Sequence, residues 1–254
     1  TSPSVEPYDA AHLCYNTIGG SQWKTAGQWI EWEVELKESG LYTIAAHFKQ
    51  ALKSGNASVR ELYIDGKLPF AEAADITFPY KGSWQLSAFS DKEGNPYEIY
   101  LEKGIHTVRL KVGLGSSAEI LLLAGQYLNE LNRIYREIVV VTGVSPDMYR
   151  NYNLDKVIPD TVEDMTKMCG LLKELEKKVS AISGNSGKNL ADIKRIYVQL
   201  EQMTADTDTI PNRLTNFKDN ISSFGTWINS AAEQPLELDY IAFNPVNCKL
   251  SKGD

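Results

Sequence analysis

Three histidines, His12, His47 and His106, are the side chains best suited to acid–base or metal chemistry near neutral pH. No Ser/His/Asp ordering surrounds them and no His-Glu-x-x-His spacing occurs, so neither a nucleophilic triad nor a zinc-protease motif is encoded. His47 and His106 fall within strand-like alternation, where satisfied structural histidines are expected. Glu31, Glu33 and Glu35 occupy every second position and so share one face of one strand. The two carboxylates of a glycosidase face each other across a substrate, so these three read as a solvated surface. Cys14, Cys169 and Cys248 lack metal-ligand spacing and define no disulfide framework; Cys169 lies on an apolar helical stripe, as a small buried hydrophobe would. The "LGSS" of 114–117 and the Gly-Asn-Ser-Gly of 184–187 read as turns, because neither follows a strand into a phosphate-cradling loop. Catalysis is not expected.

The totals narrow the partners. The 254 residues are 43% hydrophobic and 23% charged, the balance of a folded globular chain, with a net charge of −7. A nucleic acid or an anionic membrane surface needs a basic face, which that charge argues against. No apolar run approaches the ~20 residues that span a bilayer; "IVVV" at 138–141 is one turn of an amphipathic helix. The opening "TSPSVEPYD" carries no signal-peptide pattern and reads as the start of an excised piece or a mature fragment.

Two periods divide the elements that would position any site. Residues 27–113 alternate with period two: "GQWIEWEVEL" (27–36) places Ile30, Trp32, Val34 and Leu36 opposite a charged face. "GLYTIAAHF" (40–48), "SVRELYIDG" (58–66), "SWQLSAF" (83–89), "YEIYLEKG" (97–104) and "HTVRLKVG" (106–113) follow, punctuated by Gly, Asn, Asp and Pro. Such spacing predicts a β-sandwich, with a hairpin turn at Asp65-Gly66. From about 118 the period becomes helical. Four apolar stripes run through Ile120–Val141, Val162–Ile182, Leu190–Leu200 and Ile210–Ile228, with Thr161 and Asp208 as expected N-caps. Four such faces bury themselves as an antiparallel bundle.

"LELDYIAF" (236–243) then returns to period two, grouping Leu236, Leu238, Tyr240 and Ala242 against Glu237, Asp239, Ile241 and Phe243. A strand cannot leave its backbone donors and acceptors unpaired, and the helical block offers no partner. The segment is therefore expected to rejoin the sheet built by 27–113. That makes the architecture α+β: a sandwich of residues 1–116 and 235–254 interrupted by a bundle of residues 117–234, with the two junctions close in space.

In that order, "GQWIEWEVELKESGLYTIAAHF", "LYIDGK", "LEKGIHTVRLKV" and "LDYIAF" resemble the galactose-binding-like jelly roll of family 6 and family 35 carbohydrate-binding modules. The helical insertion is similar to that of modules within extracellular solute-binding proteins of bacterial ABC importers. The resemblance implies non-catalytic glycan binding at loops on one edge of the sandwich, by aromatic stacking on sugar C–H faces and polar contacts to hydroxyls. The residues it points to are Asn16, Trp23, Tyr80 and Trp84, all in or beside loops. "YNTIGGSQWK" (15–24) stands out because its glycine pair allows close backbone approach. The competing role for Trp23 and Trp84 is to cap the sandwich core.

The solute-binding versions begin with an acidic "EAE"-like strand, which this chain lacks. Asp239 is then the remaining candidate ligand for a structural calcium ion, and a strand-end hydrogen-bond acceptor is its alternative role. No other cofactor is implied. The resemblance further implies a bacterial, extracellular, cell-surface location on a lipoprotein parent chain, with the neighbouring domains of that protein as partners. A second reading is a structural or interaction module whose bundle docks a neighbouring domain or transporter component. Exposure discriminates the two: a binder leaves at least two of Trp23, Tyr80 and Trp84 open around a cleft, a scaffold exposes an apolar strip at Ile138, Val139 and Val140.

Overall fold

The computed structural model describes residues 17–53, 56–147, 149–183 and 187–246. It is a β-sandwich interrupted by a helical bundle. The chain forms two compact units: one comprises the described residues up to Gly115 and from Glu233 onward, the other Ser116–Ala232.

Among its described residues the first unit holds nine strands: β1 (Ile18–Gly20), β2 (Trp29–Leu36), β3 (Gly40–Gln50), β4 (Ser58–Ile64), β5 (Ile76–Phe78), β6 (Lys81–Ala88), β7 (Glu98–Leu101), β8 (Gly104–Val112) and β9 (Leu236–Pro245). One sheet runs β1-β9-β3-β6 with β7 also paired to β3; the other runs β2-β8-β4-β5. Every pairing is antiparallel. Ile44, Ala46 and Phe48 of β3 meet Leu62 of β4 and Val108, Leu110 and Val112 of β8 in a single apolar core.

The tail strand lies along β3 from Tyr42↔Pro245 to Lys49↔Glu237, so its backbone groups find partners laid down almost two hundred residues earlier. Its entry is fastened to the opposite sheet. The Ser58 hydroxyl donates to the Pro235 carbonyl at 2.6 Å, and the buried Gln234 side chain accepts from the Val59 amide at 3.2 Å. The glycine pair serves this junction. Gly19 pairs with Glu237 at a φ of +108°, and a Cβ there would lie 2.1 Å from the Leu236 carbonyl oxygen, so only glycine fits. The close approach expected of this pair is to β9, not to a ligand.

The helical unit contains α1 (Ala118–Thr142), the short α2 (Leu154–Val157), α3 (Pro159–Ser183), α4 (Gly187–Ala205) and α5 (Ile210–Ala232). The four long helices follow the apolar stripes, which converge on a core including Leu131, Ile134, Leu172, Ile196, Phe217 and Phe224. Across α1 and α3, Arg133 bonds Glu130, Glu137 and Asp164, and Thr161 donates to Glu137 at 2.7 Å. Thr161 thus lies inside α3 and braces it instead of capping it. At the other predicted cap, Asp206 accepts from the Asp208 amide, two residues before the position expected.

Candidate functional site

The two outer faces of the sandwich carry different chemistry. On the β2-β8-β4 sheet, directly opposed residues are oppositely charged: Glu31 pairs with Arg109 at 2.8 Å and Glu61 with Lys111 at 2.9 Å. Arg109 also lies 4.4 Å from the Trp29 ring centroid, and Lys111 6.0 Å from that of Tyr63. This is a solvated, self-satisfied face, as the glutamate spacing predicts.

The outer face of the other sheet is organised in rows across its strands, set by register. Tyr240, His47 and Leu86 are opposed on β9, β3 and β6. The next row is Ala242, Ala45 and Ala88. Beyond it lie Asn244, Thr43 and Glu98, the last on β7. Three alanines in register leave a low strip between a wall of rings and a wall of polar side chains. The strip runs across the strands, with Ala45 only 4% exposed, and is termed the trough.

The ring wall is continuous. His47 stacks on Trp84 and on Tyr240, each with centroids 5.1 Å apart and planes within 28° of parallel. Lys49 lies 5.6 Å from the Trp84 centroid and pairs with Glu237 at 2.9 Å. Asp239 bonds the His47 Nδ1 at 2.7 Å.

A β-bulge makes this wall. His47 opposes Tyr240 but Phe48 opposes Leu238, so Asp239 is an extra residue on β9. One extra residue exchanges the faces of everything beyond it. Leu236 and Leu238 point into the core, and after the bulge Ile241 and Phe243 do, while Tyr240 and Ala242 turn outward. The sequence alternation had grouped Tyr240 and Ala242 with the two leucines; the bulge corrects that.

The candidate residues separate accordingly. Trp84 and Asp239 come together through His47. Trp23 does not join them: it is only 4% exposed and belongs to the core. Its ring supports the fully buried Arg60, whose Cζ lies 4.0 Å from the ring centroid and whose Nη2 donates to the Trp23 carbonyl at 2.9 Å. Burial pushes the Arg60 guanidinium down to about 9, still above neutrality, so the ring faces a cation at pH 7. Trp23 therefore acts as the core cap, stacked against a side chain of the same chain. It also lines, with Trp29, Gln22 and Gln28, an open cleft of about 390 Å³. Tyr80 is 43% exposed between β5 and β6. Asn16 lies outside the described residues.

Asp239 takes the hydrogen-bond-acceptor role, its carboxylate engaged by the His47 ring. Among the described residues no three His, Cys, Asp or Glu side chains gather as a metal site. His47 and Tyr240 are the members of the wall that sequence reasoning missed. Their signal was the outward phase of His47 beside inward Phe48, but Tyr240 was hidden by the bulge.

With this geometry in hand, comparison with known proteins is informative for the helical unit. Residues 120–234 match the family of the bacterial solute-binding protein, 4-helix bundle domain. The matched segment runs from within α1 to just past α5, the helices that follow β8 and precede β9 in the chain. No curated protein sequence matches the chain. Among solved structures, similarity is found to a family 35 carbohydrate binding module from Clostridium thermocellum, at 17% identity and TM-score 0.29, covering 39% of this chain and 77% of that one. A Paenibacillus cycloisomaltooligosaccharide glucanotransferase complexed with cycloisomaltoheptaose matches at 23% identity and TM-score 0.30, over 37% of this chain and 12% of that one. A ruminal GH26 endo-beta-1,4-mannanase matches at 24% identity and TM-score 0.25, over 35% of this chain and 16% of that one. At these scores the likenesses carry no argument about function. No described helix is long and apolar enough to cross a membrane.

Proposed function

We propose that the sandwich binds a carbohydrate chain, without catalysis, in the trough across its five-stranded sheet. The observation that supports this reading is the register itself: a ring wall of Trp84, His47 and Tyr240, an alanine floor, and a facing polar row of Asn244, Thr43 and Glu98. A sugar ring presents apolar C–H groups to the first and hydroxyls to the last. Carried beside a solute-binding-protein bundle, the domain would serve an extracellular bacterial capture protein, with the other parts of that protein as neighbours.

For the interaction-module reading, Ile138 is fully buried and Val139 half-buried, while Val140 is 86% exposed and is followed by the exposed Val144 and Tyr149.

A glycan array with the intact chain, followed by calorimetry on the best ligand, tests the proposal. Tyr240→Ala and Trp84→Ala should each weaken binding by at least about tenfold, about 1.4 kcal/mol, with the fold retained by circular dichroism. Trp29→Ala, on the ion-paired face, should leave affinity unchanged. No binding to any glycan, or a loss confined to Trp29→Ala, overturns it.

A further inference from the structure

The two strand histidines use their nitrogens differently. His106 has both engaged, Nδ1 with the Asp65 carboxylate and Nε2 with the Glu102 carbonyl. His47 has only Nδ1 engaged, with the Asp239 carboxylate at 2.7 Å. Among the described residues, the buried side-chain polar atoms without a hydrogen-bond partner are the Trp23 Nε1 and the Arg60 Nε. The His47 Nε2 is not one of them, and it has no partner either, so it is open to solvent. It lies at the end of the imidazole farthest from the backbone, on the outer face of β3.

Packing leaves that edge as the part of His47 that a ligand can meet. Trp84 and Tyr240 stack on the ring from the strands on either side, β6 and β9, each at 5.1 Å. Both faces are therefore occupied. A carboxylate accepts but does not donate, so the bond to Asp239 places the proton of a neutral imidazole on Nδ1 and leaves Nε2 as an acceptor. The facing row has similar polarity. The Thr43 hydroxyl donates to the Asn244 backbone carbonyl at 3.4 Å, which leaves its lone pairs, and the exposed Glu98 carboxylate is an acceptor only. Of that row only the Asn244 side-chain amide can donate. A ligand lying over the alanines is thus met by acceptors from both sides and must bring the hydrogens itself. Sugar hydroxyls do so.

We infer that His47 determines specificity in the trough: its Nε2 accepts a hydrogen bond from a sugar hydroxyl, and Asp239 is the positioning residue that fixes the tautomer. The inference rests on the carbohydrate reading given above and narrows it to neutral glycans whose hydroxyls are free. An O-acetyl ester accepts without donating, and a uronic acid carboxylate meets Glu98 as a like charge, so both are discriminated against.

Nitrogen-15 NMR of the intact chain, labelled at its three histidines, reads the tautomer directly at pH 8, above the ordinary imidazole range. The His47 signals, assigned by their loss in His47→Phe, should show a protonated Nδ1 and a bare Nε2. Calorimetry then finds the best binder among cellotetraose, xylotetraose, mannotetraose and isomaltotetraose. Adding it should move the Nε2 resonance and leave the His106 pair in place. His47→Phe keeps a ring in the stack but removes the acceptor, and should weaken that probe about fivefold, the size of one net hydrogen bond. Asp239→Ala should move the proton toward Nε2. Partial O-acetylation of the probe should weaken it by about fivefold or more in the parent chain, and by less in His47→Phe. Circular dichroism checks the fold of each variant, and the spectra of the parent chain decide the matter where a variant is misfolded. A neutral ring protonated on Nε2, an Nε2 resonance unmoved by a bound probe, or parental affinity in His47→Phe overturns the inference. The trough itself survives any of these if Tyr240→Ala still weakens the probe. Binding of none of the four tetrasaccharides overturns the trough reading.

Discussion

The bundle and the sandwich obey packing rules to different degrees. Each long helix of the bundle has one apolar stripe, and those stripes fill a core that is apolar except for a few hydrogen-bonded side chains. Its exposed apolar residues include Leu122 and Val140 on α1 and Leu171 on α3. The sandwich departs repeatedly. It buries an arginine with no carboxylate partner among the described residues, inserts an extra residue at Asp239 and stacks three rings on an outer face. Local consistency marks a scaffold, and clustered violations mark the region selected for something besides folding. The departures thus lie in the sheets, where the proposed recognition site is placed.

That contrast can be broken in the bundle first. Phe217 is fully buried among the stripes, and Phe217→Ala should destabilise the helical unit by about 3–5 kcal/mol. Denaturant unfolding followed by helical circular dichroism measures this, while affinity for a trough ligand below the transition should stay as in the parent chain. A parallel loss of affinity in the still-folded variant would mean that the bundle shapes the site.

A smaller effect tests whether the sandwich's irregular turns are themselves titratable. His106 donates from Nε2 to the Glu102 carbonyl and from Nδ1 to the Asp65 carboxylate, both at 2.8 Å. The Glu102 carbonyl and then the Asp65 carboxylate hold His106 above its ordinary value. Burial alone would raise Asp65, but the bonds from His106 and the Thr107 amide outweigh it and hold the carboxyl low. The signs differ. The His106 contribution is present in full below the unfolded-state value near 6.5 and is lost as pH rises through the raised folded value; the Asp65 contribution is present above about 3.9 and is lost as pH falls through the depressed one. The turn is therefore most stable between those limits. His106→Asn should flatten melting temperature against pH from 6 to 8, with a change of about 1 kcal/mol or less, as befits a partly exposed pair. An unaltered pH profile would remove the pair from the stability of the sandwich.

The smallest effect is expected where the scaffold meets water. Val140→Lys should alter stability by no more than about 0.5 kcal/mol and leave glycan binding unchanged. Impaired ligand capture in the full parent protein, with normal stability and normal binding by this chain, would favour the interaction reading for that residue.

How much of this was legible depended on whether the signal was local. The tail strand was readable because two prolines bound its alternation and no helix could pair with it. The four stripes were readable because a helix records its buried face every three or four residues. Trp23 was not, since what decides it is Arg60, 37 residues away on β4 and folded beneath the ring. Nor was the ring wall. An inserted residue changes no composition, and the alternation around Asp239 reads equally well on either side of it.

The order of strands and helices, the return of the last strand and the absence of a catalytic motif were determined by the sequence alone, because periodicity and unsatisfied backbone groups allow few arrangements. Only the tertiary structure decided which aromatic rings face water, since register and one bulge select the outer face of a strand, and neither leaves a mark in the chain that a single residue carries.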